Sequence, residues 1–476
     1  MSAQAKILLA CLVTLQLLGF STSAQAAGPA SRRTLDQVLG DYIALGLSSN
    51  LSLQQQDITY ERSVQALAEA RGAYLPSVSV DARYTRADGG RSIDIPIGTV
   101  INPVYSTLNQ LTQNLSSPTN FAPLQDQQFS IQRTREQQTA VRITQPLYAP
   151  KIAANLRSQR ANADAAQFTR DAFRAALMRD IGIAYLNWCK ADQTLAIADS
   201  NVESLTENLR VNTKLYEAGK ITQDQVLRAQ AELLSVEQQR VEAGNAVARA
   251  QRYFNFLINR DHALALEAAD LPSVDTLAPI PLESLLEESL RRRSELRQLD
   301  SLQQAAAAGI DAARADYKPT LALALEGGTQ GENYRFGRDD RYAIGSLVFS
   351  WSLFSGNQTR ARVGQARLAA KASAVQLDQA RQQISLEVEQ AREDLLAALS
   401  SLRTATAREA VARAGFKIAS KKRDAGVISQ VEFLDAQSSL ADAQSNQNRV
   451  RFDVFARAIE LDYAAGNPAQ HFGALP

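Results

Sequence analysis

Histidine and cysteine are almost missing from this sequence: His262, His471, Cys11 and Cys189 are all it has. A zinc site or a histidine-based triad needs several such side chains in one place, so neither fits the composition. No nucleophile, base and orienting group can be assembled from what is left, which argues against a hydrolase and against any enzyme. Charge of one sign is equally scarce. The 51 basic and 50 acidic residues are interspersed and leave a net charge of +1, so no basic face for nucleic acid is expected. A glycine-rich phosphate loop is absent from the pattern as well, and no metal or cofactor is expected. Beyond the N-terminal segment no stretch approaches the ~18 apolar residues of a membrane helix, so membrane insertion would have to use β-strands.

What is present begins with an export pattern. Lys6 precedes an apolar run from Ile7 to Phe20, and the run ends in small residues and Ala24-Gln25-Ala26. This predicts a cleaved signal peptide over 1–26 and a mature chain from Ala27. Leu8-Leu9-Ala10-Cys11 also resembles a lipoprotein cleavage box, but the apolar run continues past Cys11, which disfavours lipidation there. Once the signal is removed Cys189 is the only thiol, so no disulfide is expected and the side chain beside Trp188 should be packed.

The remaining chain reads as two copies of one unit. Ala218-Gly219-Lys220-Ile221-Thr222-Gln223 through Gln230 is answered by Ala425-Gly426-Val427-Ile428-Ser429-Gln430 through Gln437, with Leu227 matching Leu434. Ala70-Arg71 to Pro76 is echoed by Ala313-Arg314 to Pro319, and Gln145-Pro146-Leu147-Tyr148 by Trp351-Ser352-Leu353-Phe354. Each half is therefore expected to run helix, strand, strand, very long helix, tight turn, helix. The first repeat is placed at 27–270, with strands within 74–149 and a helical hairpin over 151–258. A proline-rich linker at 271–282 lies across the outside. The second repeat follows at 283–476, with strands within 317–355 and a hairpin over 357–465.

The long runs exceed anything a globular domain uses. From Lys151 to Tyr216 there is no proline and only Gly182, enough for a helix of roughly 100 Å. In the matching run Val363, Ala366, Ala370, Leu377, Ala380, Ile384, Val388, Ala391, Leu395, Ala398 and Leu402 follow steps of three and four with one position skipped, the seam of a coiled coil. The strands carry the opposite period. Val78, Val80, Ala82 and Tyr84 alternate with Ser77, Ser79, Asp81, Arg83 and Thr85; Leu321, Leu323 and Leu325 alternate with polar or small residues; residues 343–354 and 141–144 repeat the pattern. One apolar and one wet face suit a transmembrane barrel. Four strands cannot close one, since the minimum is roughly eight, so several chains have to contribute, and three would supply twelve. The fold class expected is thus an α+β membrane protein: a trimeric twelve-stranded β-barrel continued by a long helical coiled-coil barrel. Residues 89–128 join the first strand pair as a long outer loop of unassigned role.

The paired Ala-Gly-x-Ile-[Ser/Thr]-Gln-x-x-x-Leu-x-Ala-Gln turns, the four strands and the signal together resemble the TolC family of outer-membrane efflux proteins, across essentially the whole mature chain. That resemblance implies a homotrimer in the outer membrane with a helical tunnel in the periplasm. It also implies docking on a periplasmic membrane-fusion adaptor and an inner-membrane pump or ABC exporter, and export of small molecules or proteins. The competing reading, a periplasmic coiled-coil scaffold or adaptor that is not a channel, leaves the strands unexplained.

Each turn has its own physical reading. Gly219 and Gly426 fall where a helix end asks for a left-handed residue. Thr222 to Gln225 and Ser429 to Glu432 both have the form of capping boxes. The resemblance places a periplasmic gate on this tip at Glu432 and Asp435, with Asp224 and Gln225 as the poorer match on the first tip. Arg423 or Lys422 is a candidate partner for an acid on a neighbouring tip. Ala218, Gly219, Ile221, Ala425, Gly426, Val427 and Ile428 are the candidate adaptor-docking residues.

Overall fold

The computed structural model describes residues 33–131, 133–274, 281–333 and 337–468. The signal expected over 1–26, with Cys11, and residues 275–280 of the linker lie outside them. In the first half α1 (Leu35–Ser49) and α2 (Leu51–Gly72) lead into β1 (Ser77–Arg86), then β2 (Ser92–Ile95), α3 (Ile97–Thr112), β3 (Gln127–Ser130) and β4 (Arg135–Tyr148). The long hairpin α4 (Pro150–Glu217) and α5 (Gln223–Leu257) follows. The second half repeats the scheme with α6 (Leu282–Arg292), α7 (Ser294–Ala315), β5 (Thr320–Gly331), β6 (Arg341–Ser350), α8 (Gln358–Asp424) and α9 (Gln430–Ala464). Among the described residues no helix is long and apolar enough to cross a membrane.

Where the sequence suggests one opening helix per half, the structure has two. Asn50 makes the first break: its side chain accepts from Leu53 N–H at 2.8 Å and donates to Leu257 O at 2.8 Å, so the cap is tied to α5. Arg293 makes the second, with its guanidinium on Glu295, Glu387 and Ala464 O. The seam read in α8 packs inward as its period demands: Val363, Leu377, Ile384, Val388, Leu395 and Ala398 are buried.

The four long strands form one antiparallel sheet in the order β1-β4-β5-β6, with β2 and β3 as a separate ribbon. Register sets Val80 beside Val141, Val141 beside Gly327 and Gly327 beside Ala343. One face is therefore Val78, Val80, Val141, Leu325, Leu347 and Phe349, all exposed in the single chain. The other face is a polar network. Arg142 donates to Glu326 at 2.9 Å, Glu326 accepts from the Tyr342 hydroxyl at 2.7 Å, and Gln138 bridges Arg83 and Tyr342 at 3.1 Å each. β4 begins well before residue 141, because pairing on both sides holds its polar first half. β6 stops at Ser350 rather than near 354: the Trp351 indole turns to donate to Tyr317 O at 3.0 Å, and Gly356 and Asn357 take positive φ.

The main core lies at mid-height, where α1, α4, α5 and α9 meet. Leu39, Ile43, Ile181, Tyr185, Phe254 and Phe455 are buried in it. The segment leaving α5 crosses over it, with the Tyr185 hydroxyl donating to Glu267 O at 2.8 Å and accepting from Ala269 N–H at 3.1 Å. Both ends of the chain unit, sheet and tips, are thus held by rods fixed at the middle.

Candidate functional site

The two tips are built the same way from the backbone up. Gly219 and Gly426 take φ of +72° and +71°, a region in which a Cβ would be strained. Each allows a doubled closure of the helix end: Lys220 N–H to Leu215 O at 2.9 Å and Gly219 N–H to Tyr216 O at 2.8 Å, matched by Val427 N–H to Lys422 O at 2.9 Å and Gly426 N–H to Arg423 O at 2.8 Å. The chain can then reverse within the five residues between the helices with few orphaned carbonyls. Ala218, Gly219, Ala425, Gly426 and Val427 are exposed on these turns, and Ile221 and Ile428 are half-buried.

The return helices open differently. At the second tip Ser429 Oγ accepts from Glu432 N–H at 3.2 Å and the Glu432 carboxylate accepts from Ser429 N–H at 3.2 Å, a complete capping box. At the first tip the expected box does not form: Gln225 N–H donates to the Thr222 carbonyl at 3.2 Å, so the donor the threonine hydroxyl would have taken is already used. Glu432 and Asp435 are both exposed on α9, Asp224 is exposed on α5 and Gln225 is half-buried. The structure brings Glu432 and Asp435 to one end of one helix and Asp224 to the other hairpin's tip.

Within the chain the Arg423 guanidinium lies 4.1 Å over the ring of buried Phe433, reaches Asn208 of α4 at 3.4 Å and stands 3.5 Å from the Asp424 carboxylate. Phe433 in turn packs on Phe416. Above this contact the second hairpin is laced to α4 by polar rungs: Gln437 to Ser204 at 3.1 Å, and Asn448 to Lys190 O at 3.1 Å and Thr194 at 3.0 Å. Apolar packing here is thin, a small cluster of Leu205, Leu233 and Val236 with Leu434 against it. Sequence reading passed over Phe433, Asn208, Gln437 and Asn448. For Asn208, Gln437 and Asn448 the one signal was polar side chains at inward positions of otherwise apolar helix faces; Phe433 had only its place in the repeated turn motif.

Comparisons with known proteins follow this architecture. The family model described as outer membrane efflux protein matches residues 42–260 and 285–467, one block per repeat. The outer membrane protein TolC of Escherichia coli (strain K12) is 22% identical over 474 residues, covering 97% of this chain and 86% of that protein. The alkaline protease secretion protein AprF of Pseudomonas aeruginosa is 24% identical over 291 residues, 60% of each chain. The Campylobacter jejuni CmeC outer membrane channel superposes with a TM-score of 0.74 at 16% identity, covering 96% of this chain and 94% of that one. Relatives of this kind are channels rather than enzymes, and the reading as a scaffold without a channel falls with them. The chain belongs to the outer membrane efflux protein family and serves as an exit duct of the outer membrane, its helical part on the periplasmic side.

Proposed function

We propose that three copies of the chain close into one tube, with a twelve-stranded barrel in the outer membrane and the helices as its periplasmic tunnel. The observation that carries this is a lopsided repeat. α7 packs between α4 and α8, whereas its counterpart α2 packs mainly on α4; α9 packs on α8 and α4, whereas α5 packs mainly on α4. β5 pairs with β4 and β6, whereas β1 pairs with β4 alone. In every layer the first-half element lacks one neighbour, and in every layer the missing neighbour corresponds to α8 or β6. The next copy's α8 and β6 fill that place in a ring that closes on itself.

Exposed apolar residues support the same seam. Leu227, Leu234 and Val241 stand out from α5 at seven-residue spacing, Leu51 and Ile58 from α2, and Leu368 and Val375, then Val411 and Ile418, from α8. Heptad spacing without a partner is half of a coiled coil. The apolar sheet face then meets lipid, and the Arg142–Glu326–Tyr342 network meets water inside the barrel.

The two tips form the periplasmic entrance. Glu432 and Asp435, with Asp224 and Gln225 on the other hairpin, line the gate. Ala218, Gly219, Ile221, Ala425, Gly426, Val427 and Ile428 receive a periplasmic adaptor. An inner-membrane pump or ABC exporter supplies the energy, and small molecules or proteins are the cargo. The test is to record conductance of the detergent-purified protein in planar bilayers with the mass of the same sample. A trimer forming small cation-preferring channels supports the reading; a monomer without conductance overturns it.

A further inference from the structure

The segment between β1 and β4 contains a folded unit of unusual polarity. α3 uses its polar side to hold the returning chain: Asn102 exchanges hydrogen bonds with Leu124 (2.8 Å to its O, 2.7 Å from its N–H), and Asn109 does the same with Phe121 at 3.0 and 2.9 Å. Thr99 donates to Asp126 from N–H at 2.9 Å and from its hydroxyl at 2.8 Å, and Thr119 N–H donates to the Thr112 hydroxyl at 3.0 Å. Gly98 lets the helix come against Leu124 O, where a Cβ would stand only 2.3 Å away. Tyr105 stacks on Phe121 at 4.8 Å.

Because the polar side is spent inside the unit, the apolar side faces out. Val100, Val104, Leu108 and Leu111 on α3 and Leu115 in the turn after it form one stripe at steps of four, four, three and four, and all are exposed. A helix in water does the reverse, so the stripe requires a cover. The unit hangs from the end of β1 and β4 farthest from the helices, hence on the outer side of the membrane, and β1 is the open edge where a neighbour is expected. No charged residue occurs between Asp94 and Asp126. Identical neutral stripes can meet without like-charge repulsion, whereas helices that lie on a bilayer surface carry basic residues along their polar face.

We infer that the stripe is covered by the same stripe of the other copies: three α3 units pack against one another over the outer mouth of the barrel and narrow it. This rests on the trimeric reading proposed above.

The experiment uses full-length protein in planar bilayers with Leu108→Gln and Leu111→Gln combined, a change that adds no charge to the pore. The expected result is an intact trimer whose single-channel conductance rises about twofold. In a Cys189→Ser background, Leu111→Cys should be joined between copies by a short bismaleimide, which keeps the inference testable if the double variant assembles poorly. An intact trimer with unchanged conductance and no cross-link overturns the inference, and so does quenching of a fluorophore on Leu111→Cys by brominated lipid, which would place the helix on the bilayer. A wild-type sample that is monomeric brings down the trimer itself and this inference with it.

Discussion

At the scale of single residues, the two carboxylates of the second tip have different duties. Glu432 is tied into the capping box by Ser429 N–H, while Asp435 stands exposed one turn further along α9. In the trimer proposed above, three copies of Asp435 around the axis would repel one another as the tip closes and would attract cations. Asp435→Ala is expected to raise single-channel conductance about twofold and to weaken block by divalent cations. Identical conductance and identical block would remove Asp435 from the gate. Glu432→Ala is expected to lose about 1 kcal/mol of helix stability, visible as a lower melting temperature, together with a smaller loss of block than Asp435→Ala, because the capping box already holds its carboxylate. Cys189 gives a pH-dependent case. Burial pushes its thiol up to about 12 from an ordinary value near 9, so the neutral thiol is the form the fold accepts. The resulting stability is complete below pH ~9 and is lost as pH rises toward ~12. Maleimide at neutral pH should therefore label Cys189 much more slowly in the native protein than after unfolding, as read by intact mass; equal rates would contradict the raised thiol.

At the scale of elements, the tip turns are the most exacting pieces of backbone. Gly426→Val forces a β-branched residue to φ near +71°, at a cost of about 1–2 kcal/mol. The Val427 to Lys422 closure should fail with it, and amide exchange over residues 425–433 should quicken; unchanged protection would mean the turn tolerates the strain. These turns were legible because the glycine, the β-branched residue that follows and, at the second tip, the serine cap each announce themselves locally, whereas the box expected at Thr222 does not form. The seam of α8 and the alternation of β1 were legible for the same reason, since a single period decides which side is buried. Elements made by distant partners were not. Asn50 caps α2 by reaching Leu257, and the first half of β4 carries Glu136, Gln137 and Gln138 in succession, a pattern that only its two neighbouring strands can hold extended. α3 lay hidden in what looked like a loop, because its polar side is matched by residues 119–126 rather than by water. The partners of Arg423 within the chain were hidden for a like cause: its ring partner lies across a turn and its amide partner on the other hairpin.

At the scale of the whole molecule, the repeat supplies an internal control for assembly. Leu227 and Leu434 are equivalent by sequence register, yet Leu434 is packed against the Leu205, Leu233 and Val236 cluster while Leu227 is 55% exposed. If the ring closes as proposed, the neighbour's α8 covers Leu227, and the contact contributes about 1–2 kcal/mol per copy from the apolar area involved. Three copies lose three such contacts in Leu227→Asp, a weakening of about 3–6 kcal/mol or roughly two to four orders of magnitude in trimer affinity. The monomer should keep its helix content and its protease resistance, because that side chain is more than half exposed in the single chain. Leu434→Asp should behave in the opposite order, loosening the tip of the single chain first and losing the trimer as a consequence. Native mass against protein concentration, paired with circular dichroism, separates the two. A Leu227→Asp trimer as persistent as the wild type on dilution would mean that α5 does not face a neighbour, and the lopsided repeat would then need another explanation than a closed ring.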